Sequence, residues 1–185
     1  RKPLVLMTPK SLLRHKMAVS KRSEFTIGSS FHRVLWDDAQ YGNSDTKLVS
    51  DKKIKRVVIC SGKVYFDLLE ERDARGINDV YLLRIEQFYP FPAISMVSEL
   101  ERFKKAEIVW CQEEPINQGA WYTSRHNFMQ SIVKGQTLHV VARDLYSAPA
   151  EGSIRQHNIN QSYIIEKALG IQTMGTASSI KKWKK

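Results

Sequence analysis

Trp110–Cys111–Gln112–Glu113–Glu114–Pro115–Ile116–Asn117–Gln118–Gly119–Ala120–Trp121 is the stretch on which the fold turns. The apolar run Ile108 to Cys111 leads into two carboxylates, and Pro115 halts the strand that such a run implies. After Gln118, Gly119 and Ala120 the spacing changes: Trp121, Ser124, Phe128 and Ile132 recur at helical intervals. The reading is strand, polar loop, helix. In an open α/β sheet such loops gather along the edge formed by the carboxyl ends of the strands, where sites form. Two readings of the loop stand side by side. Glu113, Glu114, Asn117 and Gln118 either build a site or cap the helix and satisfy loop backbone.

The same rhythm extends in both directions. Towards the amino terminus, Val57 to Cys60 predicts a strand, and Ser61–Gly62–Lys63 opens a helix with Val64, Tyr65, Leu68 and Leu69 on one face, ended by Gly76. Val80 to Ile85 predicts the next strand, Phe88 to Pro92 an aromatic turn, and Ile94, Val97, Leu100 and Phe103 a buried helical stripe. Towards the carboxyl terminus, Leu138 to Ala142 predicts a fourth strand, and Ser147 to Gly152 leads into a helix ending near Leu169–Gly170. Strands joined in this way must be parallel with right-handed crossovers. The fold class is therefore α/β, a doubly wound and mostly parallel sheet. Earlier segments are less regular. Pro3 to Met7 reads as a short strand, Ser11 to Arg14 as a helical turn, Phe31 to Trp36 as an edge strand, and Gln40 to Lys53 as an exposed, mobile loop.

With 185 residues, 42% of them apolar, the chain supports one sizeable core rather than two. No apolar run reaches the roughly 20 residues of a membrane span, and no signal peptide is recognisable, so a soluble intracellular protein is expected, with no membrane partner. Cys60 and Cys111 each end an apolar run and read as small buried hydrophobes, not a disulfide. The net charge of +10 is spread over an arm (Lys10, Arg14, Lys16, Lys21, Arg22), a loop (Lys52 to Arg56) and a tail (Lys181 to Lys185). Without a basic helical stripe, an aromatic ribonucleoprotein motif or zinc spacing, no nucleic-acid partner is expected.

Catalytic signals are missing. His15, His32, His126, His139 and His157 are scattered, no Ser/His/Asp spacing stands out, and Glu113 and Glu114 are adjacent loop residues expected to point apart. No metal-ligating set is recognised, and no carboxylate-and-asparagine loop follows a Gly-Asp pair. Ser61–Gly62–Lys63 at a helix start does suit an anion, through orphan N–H groups, the helix dipole and an ammonium, although it lacks the spacing of a P-loop.

Thr8 to His15, Cys60 to Tyr65, Arg84 to Pro90 and Trp110 to Trp121, in this order, resemble the carboxy-terminal end of the 2-oxoglutarate dehydrogenase first component. The resemblance covers residues 1 to about 170. It implies a transketolase-type carboxy-terminal domain, Rossmann-like and three-layered, over 23–170. Residues 1–22 would be a connecting arm left from the preceding pyrimidine-binding domain, with Pro3 to Met7 as its last strand, and 171–185 a basic disordered tail. The implied full-length enzyme uses thiamine diphosphate and magnesium, held by earlier domains, to decarboxylate 2-oxoglutarate. It passes the succinyl group to the lipoyl group of dihydrolipoyl succinyltransferase in the citric acid cycle, as a homodimer within a dehydrogenase complex. Its location would be the bacterial cytoplasm or the mitochondrial matrix. The fragment itself is expected to bind no cofactor and to be inactive. The resemblance also implies an acetyl-coenzyme A or AMP effector, for which Lys10, Arg14, Ser61 and Lys63 are carried over, while Glu113, Glu114 and Gln118 look like organisers of a domain or subunit contact. The alternative from residues alone is a free-standing anion- or nucleotide-binding α/β module.

Overall fold

Parallel strands covered on both faces need continuous apolar runs, and the computed structural model, which describes residues 1–171, places them as that rule requires. Strand β1 is Val34–Leu35, followed by β2 (Arg56–Cys60), α1 (Val64–Ala74), β3 (Val80–Ile85), α2 (Ala93–Leu100), β4 (Glu107–Pro115), α3 (Trp121–Ser131), β5 (Leu138–Arg143) and α4 (Ile154–Leu169). The sheet order is β1-β3-β2-β4-β5, with β1 antiparallel to β3 and every other pairing parallel.

Alternation along each strand sorts its side chains into two cores. Val58, Cys60, Leu82, Val109, Cys111 and Val141 face α1 and α4. Val57, Ile59, Tyr81, Leu83, Ile108 and Trp110 face α2 and α3. This is the doubly wound, three-layer arrangement expected. Trp110, 1% exposed, stacks on Phe128 with ring centroids 4.9 Å apart, tying the central strand to α3. Burying an aromatic of this size contributes roughly 1.5–3 kcal/mol. Both cysteines are free and buried on one face, and burial pushes both thiols up.

The carboxyl terminus of α4 is held by the first residue of β2. Gly170 adopts φ +75° and Ile171 N–H returns to the Glu166 carbonyl, while Arg56 donates to the carbonyls of Lys167 and Ala168, both at 3.1 Å. A cation there complements the negative end of the helix dipole.

Four expectations need correction. Pro3 to Met7 forms no strand: among the described residues no strand lies beside it to pair with, and Leu4, Val5, Leu6 and Met7 are 73–93% exposed. The edge strand shrinks from Phe31–Trp36 to two residues. Beyond them the Asp37 carboxylate accepts from Leu82 N–H at 2.7 Å and so takes over the edge of β3. The stretch Gln40 to Lys53 is largely exposed as expected, but it is tied to the domain, because Ser44 Oγ donates to Asp73, Arg72 donates to Ser44 Oγ at 3.2 Å, and Val49 N–H donates to the Asn78 carbonyl at 2.9 Å. Finally, Ile94 is 88% exposed and Met96 takes its place in the α2 stripe, since α2 is only eight residues long and its inward face is set by Met96 and Leu100. The tail expected at 171–185 lies, apart from Ile171, outside the described residues.

Candidate functional site

Between β2 and β4 the winding reverses, with α1 leaving to one face and α3 to the other, and a crevice opens at their carboxyl ends where open α/β sheets bind ligands. Two segments supply it: Ser61–Gly62–Lys63 after β2, and Glu113 to Gln118 around the end of β4. Gly62, at φ +70°, makes the turn that sends the chain from β2 into α1. Lys63 then sits at the N-cap of α1 without a side-chain cap bond.

The ammonium of Lys63 is not free. It donates to Asp67, one turn along α1, and to Glu113 Oε1 at 3.1 Å across the crevice. Gln161 of α4 donates to the same two carboxylates, 2.8 Å to each. Burial pushes the Lys63 ammonium down, but the Asp67 bond and the Glu113 charge outweigh it and hold its pKa above the ordinary value. One ammonium thus faces two carboxylates, and an incoming anion at Lys63 would meet Asp67 and Glu113 first.

The network continues into the neighbouring loop. Arg143, at the end of β5, donates to Gln161 Oε1 at 2.7 Å and to Glu151, which also accepts from Asn160 at 2.7 Å. Burial pushes the Glu151 carboxyl up, yet the Asn160 bond, a backbone N–H and the Arg143 charge hold it below the ordinary carboxylate range. Beside this cluster a cavity of about 500 Å³ is lined by Pro115, Arg143, Tyr146, Pro149, Glu151 and Asn160, among others.

Gln112 shapes the loop from beneath. Its Oε1 accepts from Trp110 Nε1 at 2.9 Å and from Trp121 N–H at 3.1 Å, and its Nε2 donates to the carbonyls of Gln118 at 2.8 Å, Pro115 at 3.1 Å and Glu114 at 3.3 Å. Gly119 lies directly over it at φ +67°, where a Cβ would come within 2.9 Å of Gln112 Nε2. Asn117 exchanges bonds with the backbone of Tyr146, accepting from its N–H at 3.1 Å and donating to its carbonyl at 2.9 Å, and Gln118 donates to that carbonyl at 3.2 Å. Asn117 and Gln118 therefore latch the loop after β5. Glu113 and Glu114 lie on β4 rather than in a loop, because the strand runs on to Pro115 opposite Arg143. They do point apart: Glu113 turns into the crevice and Glu114 is exposed.

The arm approaches from the α1 side. Leu12, Met17 and Ala18 pack against the core under α1 and α4, and His15 lies against Phe66 at 5.6 Å, while Lys10 and Arg14 are exposed. Ser61 is partly buried. Arg14 and Lys63 share no bonding partner among the described residues.

Asp67, Gln161, Glu151 and Gln112 were not singled out from the sequence. Asp67 had a signal, standing four residues after Lys63 at a helix start. Gln161 had none, because only the return of α4 over the crevice brings it there.

A family model described as the 2-oxoglutarate dehydrogenase C-terminal region matches residues 19–169. The chain belongs to this family. Among its relatives is a 2-oxoglutarate dehydrogenase E1 component of Brucella anthropi, 53% identical over 176 residues, covering 92% of this chain and 18% of the relative. The same-named protein of Brucella ovis is 52% identical, with 92% and 17% covered. The chain therefore spans less than a fifth of the length of the curated relatives it matches. Among the described residues no group of three His, Cys, Asp or Glu side chains is placed to hold a metal ion, and no helix is long and apolar enough to cross a membrane.

Proposed function

We propose that this chain is the carboxy-terminal assembly and regulatory domain of a 2-oxoglutarate dehydrogenase first component, without catalysis of its own. The observation that carries the reading is the family match over 19–169 combined with a span of about 18% of the relatives' length. In the full-length enzyme, thiamine diphosphate and magnesium supply the decarboxylation of 2-oxoglutarate, and the succinyl group passes to the lipoyl group of dihydrolipoyl succinyltransferase. The enzyme acts as a homodimer in the citric acid cycle, in the bacterial cytoplasm or a mitochondrial matrix. Residues 1–22 serve as the connecting arm, 23–170 as the domain and 171–185 as a tail. Family membership weighs against a free-standing anion-binding module.

Within this reading Lys10, Arg14, Ser61 and Lys63 receive a phosphate of an acetyl-coenzyme A or AMP effector, and Glu113, Glu114, Asn117 and Gln118 organise a contact with another domain or subunit. The exposed cations of the arm support the first part, because charge-assisted bonds to phosphate are the strong ones. The pairing of Lys63 with Asp67 and Glu113 makes Arg14 the larger contributor. The test is effector affinity of the full-length enzyme with Arg14→Ala and Lys63→Ala, where loss of about tenfold is expected for Arg14→Ala. Unchanged affinity in both variants would leave the arm a connector.

A further inference from the structure

The opposite edge of the sheet, where the strands begin, carries a different charge pattern. Three closed turns lie there. Lys53 N–H returns to the Ser50 carbonyl at 2.7 Å, Ala106 N–H to Phe103 at 2.9 Å, and Gln136 N–H to Val133 at 3.0 Å. Lys52 and Lys53 stand in the first turn, Lys104 and Lys105 in the second, Lys134 in the third, and all five are exposed.

The turns are stitched to one another. Arg102 donates to Asp51 at 3.0 and 3.2 Å, joining the first to the second. Gln136, 8% exposed, donates from Nε2 to the carbonyls of Leu100 and Phe103, both at 3.0 Å, joining the second to the third. The three turns that carry the lysines are therefore tied to one another along this edge.

Other cations of this edge are already matched: Lys55 with Asp79 at 2.7 Å, Arg56 with Glu107 at 2.7 Å, and Arg102 with Asp51 and Glu99. None of the five lysines has a carboxylate within 4.0 Å among the described residues, and the nearby acids are engaged by those other cations, save the exposed Glu101. Of the apolar side chains of these segments, Ile54, Phe103 and Ala106 are buried and Val133 is half-buried. The turns thus offer no exposed aromatic platform on which bases could stack and no large exposed apolar side chain to enter a lipid surface.

We propose that this amino-terminal edge is a docking surface for an acidic protein segment, with Lys52, Lys53, Lys104, Lys105 and Lys134 as its cations. Unpaired ammonium groups carried on turns that are tied to one another steer an acidic partner and suppress wrong ones more than they add affinity. The assignment does not depend on the effector or cofactor reading.

A labelled polyglutamate peptide of about 20 residues is the probe, followed by fluorescence anisotropy with the full-length enzyme at low ionic strength, where exposed charges are least screened. Lys104→Glu with Lys105→Glu is expected to weaken binding about tenfold or more, whereas Lys16→Glu with Lys21→Glu, on the arm, should change it less than about twofold. Equal losses in the two variants, or none in the first, would overturn the proposal. So would a single-stranded DNA of similar length, or a phosphatidylserine vesicle, that binds more tightly than the peptide and loses as much on the first substitution.

Discussion

Helix α1 has a cation near each end, and each faces two carboxylates. At the carboxyl edge Lys63 meets Asp67 and Glu113, with all three side chains about a quarter exposed. Near the other end Arg72 meets Asp37 and Asp73, with Arg72 and Asp37 both 0% exposed. The guanidinium also donates to Ser44 Oγ at 3.2 Å and to the Val80 carbonyl at 3.4 Å, and Asp37 accepts from Leu82 N–H. The formal charges are the same in number, but the consequences differ. A buried pair must satisfy itself completely, so Arg72 and Asp37 fix the path of residues 37–46 across the edge of β3. The half-buried cluster keeps water as an alternative partner and can exchange bonds at less cost.

Breaking the buried pair should have the largest effect. Asp37→Ala leaves Arg72 uncompensated and the Leu82 N–H without its acceptor, and the expected loss is about 3–5 kcal/mol in denaturant unfolding. A loss below about 1 kcal/mol would mean that water reaches Arg72 and that the two clusters are alike.

Gln112 lies between the extremes, buried but uncharged. Gln112→Ala strips the Trp110 Nε1–H and the loop carbonyls of their partners, and should cost roughly 1–3 kcal/mol. The loop 113–121 should also exchange its amide protons faster while the β2 and β3 amides stay protected, which hydrogen-exchange mass spectrometry resolves.

Lys63→Ala should have the smallest effect, below about 1 kcal/mol at neutral pH. Its pH dependence sharpens the comparison. The folded-state pKa of Lys63 is raised above the ordinary 10.5, so its stabilisation is fully present below 10.5 and is lost as pH rises through the folded value. The stability gap between wild type and Lys63→Ala should therefore be constant from neutral pH to about 10 and close only above 10.5. A gap that closes near neutral pH would show that the ammonium is not held by Asp67 and Glu113.

Much of the architecture was legible in the residues themselves. Apolar runs such as Val57 to Cys60 and Ile108 to Cys111, each followed by helical spacing, specify strands, helices, parallel pairing and the edge where their loops gather, because these follow from local periodicity and chain handedness. Trp121, Ser124 and Phe128 fall on the inner face of α3 for the same reason. The motifs quoted from Thr8, Cys60, Arg84 and Trp110 were enough to indicate the family. What lay beyond reach was the choice of partners. Asp67, four residues on, can pair with Lys63 within α1, but the second carboxylate, Glu113, and the Gln161 amide that bonds both carboxylates stand 50 and 98 residues away in sequence and arrive only once β4 and α4 are in place. The polar stretch Gln40 to Lys53 carries no periodicity, yet Arg72 and Asp73 tie it to α1. Pro3 to Met7 has the composition of a strand, but a strand needs a neighbour to bond to, and none of the described residues forms one beside it. Local pattern determined which elements form, while the pairing of charges and edges was decided by tertiary structure, since electrostatic and hydrogen-bond partners are set by distance in space rather than along the chain.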